Sequence, residues 1–344
     1  MRKYLLPNEG QFYKANLHCH TTVSDGKLPP EIVKKVYKAN GYSVVAFTDH
    51  DLMLPHPELK DEEFLPLTGY EMEFTEPTPL PGRSKRTAHI CLISPTESDT
   101  KQVCWHREKY LFGNAPYYKD RAMFDESLPD FEREYSVECV NKAIALAQES
   151  GFFVTYNHPI WSREHIEDIV RYEGMDAMEI ANYSCLVGGY EDYVPWVYEE
   201  LYRHGKDKLY VVAADDNHNV HPLGHARFDS CGAWVMIKAE SLTYENIFAS
   251  LKRGDFYASR GPEIKELYVE DGKLYVSCSD AFSIKVHCPL RKGRSVYNYT
   301  KAGDVINSAV IPITKEDGRI RVTVTEMRGN TADTRYYSVN ELLD

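Results

Sequence analysis

From about Tyr13 to Ser259, short runs of β-branched and aromatic residues alternate with amphipathic stretches of helical period. That alternation commits most of the chain to βα units built around a parallel sheet or barrel. Strands are predicted over residues 14–20, 43–48, 65–73, 89–94, 152–157, 177–181, 209–214 and 233–238. Between them, Val140, Ala143, Ile144 and Ala147 recur at i, i+3, i+4 and i+7, with Gly151 placed to end a helix. A second helix opens at Pro29-Pro30, turns Ile32, Val33 and Val36 inward and closes at Gly41. Residues 95–135 fit neither period. Rich in aromatic and charged side chains, this insertion reads as a lid or binding loop, or as a surface excursion packed on its own aromatics.

The texture changes after Ser259-Arg260-Gly261-Pro262. Short alternating runs follow at 264–269, 273–278, 283–288, 309–313, 319–325 and 334–339, separated by turns such as Asp271-Gly272, Asp317-Gly318 and Gly329-Asn330. The expected organisation is an α/β domain over residues 1–260 and a small all-β, sandwich-like domain over 261–344.

A chain of 344 residues gives each part enough length for a core. No run reaches the ~18 apolar residues of a membrane span, and the N-terminus lacks the apolar stretch of a signal peptide. A cytoplasmic location with no membrane partner is therefore expected. The cysteines stand singly, without a Cys-x-x-Cys pair, which suits a reducing compartment. A net charge of −12 argues against binding extended nucleic acid. A small anionic substrate stays possible where local positive charge, metal included, outweighs the global field.

Metal-ligand side chains gather at the strand ends. His18-Cys19-His20 closes the first predicted strand, where alternate residues share a face and two imidazoles can chelate one ion, with Cys19 turned to the core. Asp25 follows in the turn Ser24-Asp25-Gly26, and Thr48-Asp49-His50-Asp51 ends the next strand. Glu71 lies near the end of a third, His89 flanks a fourth, His158 follows a fifth in Asn157-His158-Pro159, and Asp216-Asn217-His218 follows a seventh. One end of an α/β sheet is where active sites form. The sequence has neither a Gly-x-Ser-x-Gly elbow nor a Gly-x-x-x-x-Gly-Lys loop, which argues against a serine hydrolase or an NTPase. Water activated by metal remains: two ions ~3.5–4 Å apart acidify it and clamp the substrate oxygen, so no side-chain nucleophile is needed.

In the order His-x-His, Ser-Asp-Gly, Thr-Asp-His, Glu, His, His-Pro and Asp-x-His, residues 13–218 resemble the PHP family, named for polymerase and histidinol phosphatase. The resemblance implies a distorted (β/α)7 TIM-like barrel holding two or three divalent ions, Mn, Zn or Fe. It implies that His18, His20 and Asp216 hold one ion, and that Glu71 bridges to a second held by His89 and His158. Asp25, His50 and His218 would hold a third. Two positions depart from familiar members. Asp25 stands where some relatives have His, which favours a harder ion or weaker filling of the third site. Asp215 precedes Asp216 where the family often has Ser; strand alternation puts Asp216 on the face of His218, with Asp215 the alternative. Residues 255–262 and the β region after them resemble the two-domain, CehA-like subgroup, whose members also cleave esters, carbamates or amides.

The expected activity is hydrolysis of a phosphate mono- or diester, from a small metabolite, a nucleotide or a short oligonucleotide end. The alternatives are a carboxylic ester, carbamate or amide hydrolase of the same fold, and a non-catalytic binding module. The nine ligand-type positions speak against the last. Arg83, Lys85 and Arg86 lie between the strands bearing Glu71 and His89, His225 and Arg227 follow the last motif, and Arg260 sits at the hinge. Any of them can pair with a phosphate oxygen, although a solvated basic loop is the plainer reading.

Overall fold

The computed structural model describes residues 2–78, 82–289, 294–297 and 304–344. Its first part runs through strands β1 (Lys3–Tyr4), β2 (Gln11–Asn16), β3 (Val44–Phe47), β4 (Leu65–Thr75), β5 (Thr87–Ile93), β6 (Phe153–Tyr156), β7 (Ala177–Asn182), β8 (Tyr210–Ala214), β9 (Trp234–Ala239) and β10 (Phe256–Ser259). The helices among them are α1 (Pro30–Ala39), α2 (Val137–Glu149), α3 (Ile166–Ile169), α4 (Tyr183–Gly188), α5 (Pro195–Arg203) and α6 (Tyr244–Arg253). α2 starts where the Ser136 hydroxyl accepts from the Cys139 amide, and it buries the expected stripe Val140, Ala143, Ile144 and Ala147. α1 has its proline in the first turn and buries Val33 and Tyr37, leaving Ile32 and Val36 half-covered. No helix among the described residues is long and apolar enough to cross a membrane.

β2, β3 and β4 are parallel, as are β6, β7 and β8. β5 runs antiparallel to both β4 and β6, β9 antiparallel to β2, and β10 antiparallel to β9. The strands expected to run parallel throughout are therefore mixed in direction. The physical reason is clearest between β4 and β5: a parallel return needs a crossover, usually a helix, and the described residues of that connection form none. β3, β5, β6 and β7 are buried along their whole length, as expected of strands covered on both faces.

The run β2–β3–β4–β5–β6–β7–β8 closes into a ring, because β2 and β8 meet beyond their ends. Asp216 N donates to the His18 carbonyl at 2.9 Å, His20 N donates to the Asn217 carbonyl at 3.1 Å, and Cys19 forms a parallel bridge with Asn217. This closure draws the first and last ligand motifs of the sequence together.

Beyond β10 come β11 (Ile264–Glu270), β12 (Lys273–Ala281), β13 (Ser283–His287), β14 (Arg294–Tyr297), β15 (Ile306–Pro312), β16 (Arg319–Thr325), β17 (Thr331–Asp333) and β18 (Tyr337–Ser338), then α7 (Val339–Leu343). The single strand expected over 334–339 is thus replaced by β18 and the start of a helix. One sheet runs β1–β11–β12–β15; β14–β13–β16–β17 continues through β10 into the large sheet. Leu267, Val276 and Ile311 of the first layer share a core with Ile284, Val322 and Val324 of the second. Leu5 and Leu6 fill the same core and β1 pairs with β11, so the N-terminal residues pack with the C-terminal layers.

Candidate metal centre

The ligand-type residues converge where the ring closes. β2 ends at Asn16, so His18 and His20 stand beyond the strand and are placed by the closing hydrogen bonds rather than by strand alternation. Asp49 folds the turn that carries Asp25. Its carboxylate accepts from Thr21 N and Oγ1, both at 2.8 Å, from Ser24 N at 3.0 Å and from Ser24 Oγ at 2.6 Å. Gly26 is required there for space, since a Cβ would lie 2.6 Å from the His20 carbonyl.

β8 ends at Ala214, and Asp216 then adopts φ +53°, a costly conformation for a residue with a Cβ. His158 also has a positive φ, +28°. The kink turns Asp216 towards His18 and His20. Asp215 points away and accepts from the amides of Cys231, Gly232 and Ala233 at 2.7, 2.9 and 2.8 Å and from the Tyr37 hydroxyl at 2.9 Å. Burial pushes its carboxyl up to about 7. Of the two aspartates, the one expected faces the histidines, but through a backbone kink and not through alternation along a strand.

His18 Nε2 lies 3.1 Å from His20 Nε2 and 3.2 Å from both Glu71 Oε1 and Asp216 Oδ1. His20 Nε2 lies 3.3 Å from Glu71 Oε2 and 3.1 Å from Asp216 Oδ1. Four donors around one ion at ordinary bond lengths are spaced by ~3.4 Å in a tetrahedron and less in higher coordination. Glu71 also meets His89 Nδ1 at 3.0 Å, His50 Nδ1 at 3.2 Å and His158 Nε2 at 3.3 Å, so five imidazoles converge on one carboxylate. Asp25 faces His218 Nε2 at 3.3 Å and His20 Nδ1 at 3.7 Å. The donor atoms fall into the groups His18/His20/Glu71/Asp216, His50/Glu71/His89 and His20/Asp25/His50/His218. His20 and His50 therefore each belong to two groups, a sharing that the family resemblance did not imply.

The charge balance tests whether cations fit. Burial disfavours charge on His18, yet Asp216, Cys91, Glu71 and Glu179 hold its imidazole well above the usual range. His20 is raised against burial by Asp216 and Glu71. His50 goes the other way, to about 3, through burial first and then repulsion from His20. Burial would raise Glu71, but His18, His89 and His50 outweigh it and keep the carboxylate ionised. Protons cannot serve every ring, because one held on His20 opposes another on His50. Divalent cations among these donors would balance the carboxylates while leaving the imidazoles neutral. Buried His20 Nδ1, His50 Nδ1 and His89 Nε2 lie within 4.0 Å of carboxylates but make no directed hydrogen bond among the described residues, which suits nitrogens reserved for another bond. An imidazole and carboxylate donor set is one that Zn, Mn and Fe accept.

The PHP domain matches residues 16–309. The chain belongs to the PHP family. It is similar in structure to a Bacteroides vulgatus two-domain protein described as containing a predicted PHP-like metal-dependent phosphoesterase. That likeness has 14% identity and a TM-score of 0.46, covering 97% of this chain and 98% of the other. An amidohydrolase from Chromobacterium violaceum is similar at 17% identity, with a TM-score of 0.37, over 59% of this chain and 87% of its own. No curated protein matches the chain.

In this PHP chain the ligand-type residues are held by side chains that sequence reasoning missed. Glu179, on β7, accepts from His18 Nδ1 at 2.8 Å through one oxygen; through the other it accepts from His158 N and Asn182 Nδ2, both at 2.9 Å. Asn182 Nδ2 also reaches Asp216 Oδ2 at 3.1 Å, Asn157 Nδ2 donates to Glu71 Oε1 at 2.8 Å, and Ser162 Oγ lies 3.1 Å from His158 Nδ1. Glu179 had a readable signal: a carboxylate inside the otherwise apolar run of β7 must find a partner there.

The centre opens into a cleft of about 460 Å³. Of the basic residues proposed to meet substrate, Arg227 lines it. Arg83 and Arg86 instead pair with Glu76, Arg86 also with Asp168, and Lys85 is exposed. The Arg260 guanidinium lies over the Tyr193 ring at 4.7 Å, and His225 stacks on His221 at 4.3 Å.

Proposed function

We propose that the chain is a metal-dependent hydrolase of small phosphate mono- or diesters. The observation that carries this reading is the convergence of five imidazoles on the Glu71 carboxylate beside Asp216, in a buried site that opens to a cleft. His18, His20 and Asp216 would hold one ion, and Glu71 would reach both that ion and a second held with His89 and His158. Asp25, His50 and His218 would hold a third. Bound divalent ions would supply Lewis acidity and bring a coordinated water near neutral acidity. By accepting from Nδ1 of His18, Glu179 leaves Nε2 as the free donor facing Asp216 and raises its basicity. Arg227 offers a positive charge to a phosphate oxygen at the cleft wall.

A second reading, cleavage of a carboxylic ester, carbamate or amide, is favoured by one feature of the cleft: Arg227 is the one Lys or Arg among its described lining residues, which is little fixed charge for a doubly anionic ester. Elemental analysis, with phosphate release from a panel of monoesters and alcohol release from a panel of diesters under added Mn²⁺, Zn²⁺ or Fe²⁺, separates the two. Metal-dependent phosphate release is expected. Turnover of carboxylic esters or carbamates with cleavage of no phosphate mono- or diester would overturn the first reading.

A further inference from the structure

Two large aromatic side chains stand unusually bare at the cleft. Phe112 is 52% exposed and Trp161 is 39% exposed, and both line the cavity over the metal centre. Phe112 meets His50 edge-on at 5.5 Å; Trp161 meets His89 at 5.3 Å and His158 at 5.0 Å in the same manner. Each ring thus touches a ligand-type histidine along one edge and leaves much of its surface to solvent.

Both rings are held by their backbones. Phe112 belongs to the 95–135 insertion, whose next residues are fastened to the Asp25 turn. Asn114 N donates to the Ser24 carbonyl at 2.6 Å and Asn114 Nδ2 to the Thr22 carbonyl at 3.1 Å. Gly113, at φ +60°, passes so close to Ser24 that a Cβ would overlap its carbonyl. On the other flank the buried Asp192 carboxylate accepts from Ile160 N at 3.1 Å and Trp161 N at 2.9 Å. Exposed rings fixed in this way have already lost the chain freedom that binding would otherwise cost. Tyr190 adds a third aromatic to the wall, and Arg227 a positive charge.

We propose that the substrate carries a planar aromatic group close to its scissile phosphate ester, with Phe112 and Trp161 taking up its faces or edges. The proposal rests on the phosphoester reading and specifies its substrate class. A cleft with one Lys or Arg among its described lining residues then gains selectivity from ring contacts instead of from further charge.

The test uses calorimetric binding of 2-phenylethylphosphonate and 2-cyclohexylethylphosphonate to the metal-loaded full chain. The two share a head group and spacer, and differ in ring planarity and π character. Two aromatic contacts predict a preference of about tenfold for the phenyl compound. Phe112→Leu and Trp161→Leu should each reduce that preference, and Phe112→Leu, at the more exposed position, serves should the other variant fail to fold. Equal affinities for the two phosphonates, or no binding of either, overturn the proposal. Phosphate release from ethyl phosphate by the same preparation separates the cases: if it persists the phosphoester reading survives, and if it is absent while carboxylic esters turn over, that reading has failed as well.

Discussion

Two of the places where the chain buries carboxylates meet them in different ways. Between α5 and the C-terminal layers, buried Asp333 faces Arg321 Nη1 at 3.4 Å, and Arg321 also reaches Glu199 at 2.9 Å. Thr323 Oγ1 donates to Asp333 at 2.6 Å, and Tyr336 donates to Glu199 at 2.6 Å. There the protein provides its own cation. At the closing end of the ring, Glu71 and Asp216 are met by imidazoles whose charge depends on bound protons: the carboxylates favour them on His18 and His20, while burial and the His20 ring oppose one on His50. A carboxylate needed only for stability can be satisfied by a permanent guanidinium; one surrounded by histidines is arranged for an exchangeable cation.

Four experiments sharpen or break that contrast. Removing divalent ions with a strong chelator should abolish hydrolysis and restoring a transition ion should bring it back, since protons on the imidazoles cannot supply an ion's Lewis acidity. Full activity in metal-free protein breaks the comparison outright. Glu71→Gln should lower both metal content and rate by more than about 100-fold, because loss of a mere supporting partner already costs up to that much. Unchanged metal content would show that Glu71 is not the shared carboxylate. Glu179→Gln keeps the shape but weakens the hold on His18 Nδ1, and metal affinity should fall about 10- to 100-fold, read by competition with a chromogenic chelator. An unaltered affinity would make Glu179 purely structural.

The smallest effect on catalysis should come from Arg321→Met. It leaves Asp333 buried without its cation and should destabilise the fold by about 3–5 kcal/mol in denaturant unfolding, while metal content per folded molecule stays the same. Metal loss in the folded variant would mean that the two buried clusters are not independent.

The sequence made the donors legible because imidazole and carboxylate at successive strand ends have few other uses. Strand positions were readable within a few residues from period-two runs. Strand direction was not: nothing in the residues of β5 or β9 marks a reversal, which follows from how each connection returns. Nor did the pattern reveal that β1 would join β11, because two residues carry no period. The division proposed at 260/261 coincides with the end of β10, yet β10 pairs across it with β17, so the change of texture is not a break in the sheet. Arg83, Arg86 and Arg260 were plausible phosphate partners by charge alone, and what assigns them elsewhere is the position of Glu76, Asp168 and Tyr193 in space.

The closure of the ring at residues 18–20 and 216–217 also dictates an order of events in synthesis. His18 and His20 leave the ribosome early, but their carboxylate partner Asp216 arrives after nearly two hundred further residues. Until then the two imidazoles can hold an ion only loosely. Bringing such distant segments together carries a loop-closure cost that grows slowly with length. An ion that binds the finished site and not the nascent chain offsets that cost by mass action. An ion held by His18, His20 and Asp216 would thus be captured only once the residues after β8 have joined those after β2.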